Sequence, residues 1–159
     1  MSASETTRSA GLVTDLAGLR DSAGTHLGYT DWREMTQQRV DDFADVTEDH
    51  NYIHVDPERA KSSLFGGTIA HGYLTLSLLA PVSQQLLQVT DASTSINYGL
   101  DKLRFPAPVP VGAQWRGGGE IVDVSEIKGG LHVAAVFTVE VKGSDKPAVV
   151  AECLFRYYA

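Results

Sequence analysis

Residues 72–89, GYLTLSLLAPVSQQLLQV, decide how the rest of the chain is read. Leu74, Leu76, Leu78, Leu79, Val82, Leu86 and Leu87 fall on nearly every side of a 3.6-residue helix, so the segment predicts a central helix buried on most of its faces. Pro81 cannot donate to the Ser77 carbonyl, which predicts a bend within that helix. After residue 96 the period changes. Positions 131, 133, 135, 137, 139 and 141 are all apolar, and 149, 151, 153, 155 and 157 repeat the pattern. Both runs predict half-buried strands, and breaks rich in Pro, in Gly or in Gly-Ser-Asp are too short for parallel crossovers. The expected class is α+β, with one long central helix packed on an antiparallel β-sheet.

Upstream of the helix the signals are shorter. Leu12, Leu16 and Leu19 suggest a short helix before Gly24, and Gly28 to Met35 reads as a strand. Thr36 is a candidate cap for an amphipathic helix carrying Val40, Phe43 and Ala44. Asp56-Pro57-Glu58 has the order of a second helix start and should run to about Ser63. Residues 1–9 are polar and small and are expected to be a disordered tail, with residues 10–159 forming a single domain.

Composition narrows the functional classes. A chain of 159 residues, 43% hydrophobic and 21% charged, matches an ordinary soluble globular protein. Its formal charge of −7 argues against a nucleic-acid partner, because phosphate neutralisation needs clustered Lys and Arg. No apolar run predicts a membrane partner. Cys153 is the one cysteine, so no intrachain disulfide can form, and no signal-like apolar segment opens the chain; a cytoplasmic location is expected.

Between Asp49 and His71 lie two Asp, one Asn and three His, the densest group of such residues outside the charged surface segments. On these residues alone, Asp49 and Asn51 read equally well as turn formers and His54 as a surface or core histidine. Asp49 and His54 stand five apart, so only a turn, not a regular helix, would bring them to a common water. A carboxylate and an imidazole sharing one water can divide acid and base work, as hydration of an activated double bond requires. Asn51 suits a loop-holding role. At Ala70-His71-Gly72 the central helix begins; its free N–H groups favour negative charge, and glycine admits a substrate close to the backbone. Gly72 can equally be part of a tight entry to the helix.

Asp49-x-Asn51-x-x-His54, followed by Ile69-Ala70-His71-Gly72 and a Leu-rich helix, resembles the signature of the MaoC-like (R)-specific enoyl-CoA hydratase and dehydratase family, with nodulation protein N-like relatives. Ile96-Asn97-Tyr98-Gly99 and residues 104–109, RFPAPV, extend the similarity over most of residues 27–159. The resemblance implies a hot-dog fold, a homodimer, and reversible hydration of a trans-2-enoyl thioester to the (R)-3-hydroxyacyl product. It makes Asp49 and His54 the catalytic pair, Gly72 the oxyanion donor, and Asn51 and His71 supporting residues. No cofactor or metal is implied, coenzyme A or acyl carrier protein entering as part of the substrate. Two positions depart from the pattern: Tyr52 stands where proline is frequent, and Ala80 where serine is.

Three other readings compete. His50 and His54 stand four apart, near Asp49, Asp56 and His71, and could serve a metal hydrolase, although Asn51 takes the place of the glutamate in a His-Glu-x-x-His motif. A thioesterase would aim the same water at the carbonyl carbon, and a non-catalytic acyl-thioester binder would keep only the fold. The run Gly117-Gly118-Gly119 lacks the ending of a phosphate loop. For coenzyme A phosphates the candidates are Lys102 and Arg104, then Arg59 and Lys61; each reads equally as an ordinary surface charge.

Overall fold

Four long strands make the body of the fold, and each sits where the extended half of the sequence predicts it. The computed structural model describes residues 11–159; the expected disordered tail at 1–9 lies outside them. Strands β5 (Thr94–Arg104), β6 (Gln114–Ile127), β7 (Gly130–Val141) and β8 (Val149–Tyr158) pair antiparallel. The short strands β2 (His26–Tyr29) and β3 (Arg33–Glu34) both pair with β6. The resulting six-stranded sheet has the order β2-β6-β7-β8-β5, so β5 is an edge strand. Alternation works as predicted: Leu131, Val133, Ala135, Phe137, Val139 and Val141 are all buried, as are Val149, Ala151, Cys153 and Tyr157. Residues 28–35, read as one strand, are instead β2, β3 and an intervening loop. The chain bonds to β6 in two short stretches, with Thr30 N–H donating to the Gly117 carbonyl between them.

The central helix is two consecutive pieces, α5 (Gly72–Ser77) and α6 (Leu79–Leu86). The interruption falls at Leu78, whose backbone remains right-handed helical. Pro81 accounts for it: without its N–H the Ser77 carbonyl has no i+4 donor, while Leu78 N–H to Leu74 and Val82 N–H to Leu78 persist at 3.2 Å on either side. The helix ends earlier than its leucines suggest. Leu87–Val89 form β4, parallel to β1 (Leu12–Thr14), so Leu12 belongs to a strand and only α1 (Leu16–Arg20) is helical. Asp15 caps α1 by accepting from Gly18 N–H at 2.7 Å. Leucine fits either period, and a backbone partner decided both segments.

Helix α2 (Gln37–Thr47) is capped by Thr36 as expected, and buries Val40 and Ala44. Two single turns follow, α3 (Tyr52–Val55) and α4 (Pro57–Ala60), the latter opened by Asp56 and Pro57 but ending before Ser63. The central helix is not buried on most of its faces as expected: Leu74, Leu78, Leu79, Val82 and Leu86 bury one flank in the same core as Leu27, Trp115, Ile121 and Phe137 of the sheet, while Tyr73, Ser77, Ala80 and Gln84 are exposed. A methyl group on Gly117 would overlap Val82, with its Cβ only 2.9 Å away, so glycine is what lets the helix lie this close to β6. The glycine run that is not a phosphate loop is therefore a packing surface. A helix wrapped by a curved antiparallel sheet is the hot-dog arrangement.

Candidate active site

Helix α2 stops at Glu48, a left-handed residue (φ 63°) that turns the chain back beneath the helix end. Two side chains then hold the loop: Asp49 Oδ1 accepts from Asn51 N–H at 3.3 Å, and Asn51 Oδ1 accepts from Ile53 N–H at 3.4 Å. Both bonds are local to the loop. Residues 68–70 run between this loop and the segment before β6. Ile69 N–H donates to the Ile53 carbonyl, Ala70 N–H to Val109 and Val111 N–H to Thr68, each at 2.9 Å. This lacing sets the start of α5 beside His54.

Asp49, His54 and His71 are brought together, with one ligating atom of each within 4.8 Å of the others. Asp49 is exposed, whereas His54 and His71 retain only 7% and 1% of their surface. An acid at the mouth and an imidazole behind it are close enough for one water to bond both, since two hydrogen bonds span up to about 5.6 Å. The Ile69 carbonyl accepts from His54 Nδ1 at 2.7 Å, which assigns the proton to Nδ1 and leaves Nε2 as the acceptor. Burial holds the His54 pKa below its usual 6.5, and the facing His71 acts in the same direction; the Ile69 bond and the Asp49 carboxylate oppose this without reversing it.

These three residues are also a conceivable metal-binding set among the described residues. Their geometry suits it poorly. The two imidazoles stack at 3.9 Å with 25° between planes. Lone pairs in stacked rings run side by side, whereas a metal needs them to converge. His50 turns away to Asp45 at 2.8 Å, so the His50–His54 pair imagined for a metal hydrolase does not form.

Gly72 opens α5, and no side chain caps that end. The ring of Phe105 lies 3.5 Å from where a Gly72 Cβ would stand, placing the end of β5 over the same opening. Of the cations, Lys102 reaches Glu152 at 3.6 Å and Arg104 bonds the neighbouring Leu103 carbonyl. Arg59 lies over the Tyr52 ring at 4.0 Å, and Lys61 pairs with Glu58. A cavity of about 730 Å³ lies between the central helix and strands β5 and β8, bounded by Tyr73, Ala80, Gln84, Asn97 and Tyr157. Tyr73, the neighbour of Gly72, is in its lining, whereas Asp49, His54 and His71 are not.

Two participants had no signal in the sequence. Gln37 donates to the His54 carbonyl at 2.7 Å and accepts from Thr68 Oγ1 at 2.6 Å, a clamp visible only once α2 is folded. Ile69 acts through its carbonyl, which any residue would supply.

The comparisons with known proteins agree with this fold. The family model described as MaoC like domain matches residues 19–142. The chain is 51% identical over 148 residues to 3-hydroxyacyl-thioester dehydratase Z of Mycobacterium tuberculosis, covering 92% of this chain and 96% of that one. It is 39% identical over 140 residues to nodulation protein N of Rhizobium leguminosarum bv. viciae, covering 86% of each. Among solved structures, the (R)-hydratase from A. caviae superposes with a TM-score of 0.70 at 26% identity, over 84% of this chain and 94% of that one. With a matching model across most of its length, a loop that joins Asp49 to His54, and a glycine-opened central helix wrapped by an antiparallel sheet, the chain belongs to the MaoC-like dehydratase family.

Proposed function

We propose that the protein is an (R)-specific hydro-lyase that adds water reversibly to a trans-2-enoyl thioester, giving the (R)-3-hydroxyacyl thioester. The observation that carries the reading is the pairing of Asp49 and His54 across the span of one water, next to the uncapped start of α5 at Gly72. His54 Nε2, the ring nitrogen not engaged by Ile69, accepts a proton from water as its oxygen bonds the β-carbon. Electron density moves to the thioester oxygen, where the Gly72 N–H stabilises it by about 3 kcal/mol, the usual worth of one such donor. The imidazolium then returns the proton to the α-carbon, so one water adds across the double bond and the pair ends as it began. Asp49 accepts a hydrogen bond from the O–H that the water oxygen keeps, and so orients it. These steps use side chains and backbone alone.

The relative from M. tuberculosis is named for a 3-hydroxyacyl thioester and the A. caviae structure for an (R)-hydratase, which supports the same substrate class here. Arg104 and Lys102 lie at the end of β5 beside Phe105, within the part of the chain that overhangs Gly72, and we assign them to the phosphates of a coenzyme A carrier. A homodimer is supported by β5. Eleven residues long, it pairs among the described residues only with β8, which leaves its other backbone edge open, and Ile96, Tyr98 and Leu100 along it are exposed. No described helix is long and apolar enough to cross a membrane.

Crotonyl-CoA tests the reaction directly. Loss of the conjugated enoyl absorbance with formation of 3-hydroxybutyryl-CoA and no free thiol is expected. Thiol release without a hydroxyacyl product would replace the hydratase reading by hydrolysis.

A further inference from the structure

His71 is almost fully buried, and it touches each part of the site. Its Nε2 donates to the Asp49 carbonyl at 3.0 Å, tying the loop that carries the acid. Its ring stacks on His54 at 3.9 Å and is backed by Phe43 at 4.9 Å. Its own carbonyl accepts from Thr75 Oγ1 at 3.0 Å, and its peptide leads into Gly72. With the proton on Nε2, Nδ1 is a bare acceptor, buried without a partner. Leaving such an atom unpaired opposes folding, and an apolar side chain would fill the space without that penalty. Packing alone therefore does not explain an imidazole here.

We infer that His71 is a positioning residue: its N–H fixes the Asp49 loop and its ring face fixes the plane of His54, so that acid, base and the Gly72 N–H keep one spacing around the water. His71 touches no reacting atom. The titratable groups facing His54 are Asp49 from the loop after α2 and His71 from the start of α5; Gln37 and Ile69 meet it with uncharged groups. The inference rests on the hydratase reading for its kinetic part, but the state of the His54 ring can be read without substrate.

Two variants separate the contributions. His71→Gln keeps an amide N–H within reach of the Asp49 carbonyl and loses the stacked ring; His71→Phe keeps a ring face and loses the donor. Ring-nitrogen NMR of His54 and the pH profile of crotonyl-CoA hydration are measured for both. In His71→Gln the His54 ring should titrate at higher pH than in the parent protein, and the acid limb of kcat/KM should move with it. Turnover should fall about tenfold in His71→Gln and up to about a hundredfold in His71→Phe, with KM within about threefold, as misplacement of a catalytic group does. An unchanged His54 titration in His71→Gln, or turnover per folded molecule within twofold of the parent in both variants, overturns the inference. If the parent protein forms no 3-hydroxybutyryl-CoA from crotonyl-CoA, the hydratase reading fails instead, and the ring titration still decides whether His71 positions His54.

Discussion

Replacing Gly117 by alanine tests the closeness of helix and sheet on which the site depends. The added methyl would overlap the two Val82 methyl groups and lie 2.9 Å from its Cβ, far inside ordinary carbon contact. Val82 is 1% exposed and Gly117 is a buried residue of β6 paired with Val139 of β7, so neither can yield without moving the helix axis or the strand. Overpacking of this kind costs about 3 kcal/mol, the upper end for one methylene forced into a filled core. In a chain of this size that lowers Tm by about 6 to 12 °C. Val82→Ala alone should cost about 2 kcal/mol by leaving a void. Combined with Gly117→Ala, the new methyl enters that void, so the double variant should be about 2 to 3 kcal/mol more stable than the sum of the single effects. Urea unfolding followed by fluorescence of Trp115, which is fully buried, measures all four proteins. Additivity within about 0.5 kcal/mol would refute the contact between Gly117 and Val82 as the reason for glycine.

Three further outcomes are expected. Asp49→Asn and His54→Ala should each lower turnover by about a hundredfold or more, and unchanged turnover in either would break the pairing. Because the folded pKa of His54 lies below the unfolded value of 6.5, the stability due to its neutral ring is fully present above about pH 6.5 and is lost as pH falls from there through the folded value. As the base in hydration it should lose kcat/KM over that lower limb, and His54→Ala should flatten the pH dependence of unfolding between these values. Charge reversal at Arg104 or Lys102 should raise KM for crotonyl-CoA more than it lowers kcat, and an unaltered KM would remove that residue from the carrier site.

Much of this protein is legible from local pattern. The alternation in β7 and β8 follows from the two-residue period of a strand with one face on a core, and it needs no knowledge of neighbours. Caps at Thr36 and Asp56 are equally local, since each side chain bonds an N–H three residues on. The motif Asp49-x-Asn51-x-x-His54 with Gly72 was visible as a resemblance, and so was the fold it implies. Where strand and helix periods accept the same residues, the sequence misled: Leu12 and Leu87–Val89 read as helix, but they bond each other as β1 and β4 across 75 residues. Pro81 announced a bend, and the backbone shows an interruption of the helix at Leu78, four residues after the Leu74 carbonyl that still finds its donor.

What only the tertiary structure decided is the chemistry of the cluster. Residue types named Asp49, His54 and His71; they did not say that the Ile69 carbonyl would choose the His54 tautomer, that His71 would stack on it, or that His50 would leave for Asp45. These depend on backbone carbonyls and ring planes brought together from loops 15 to 22 residues apart, and a carbonyl carries no side-chain signature to read in advance. The amino-acid order determined which groups were available to handle water. Folding decided which His54 nitrogen the Ile69 carbonyl leaves free.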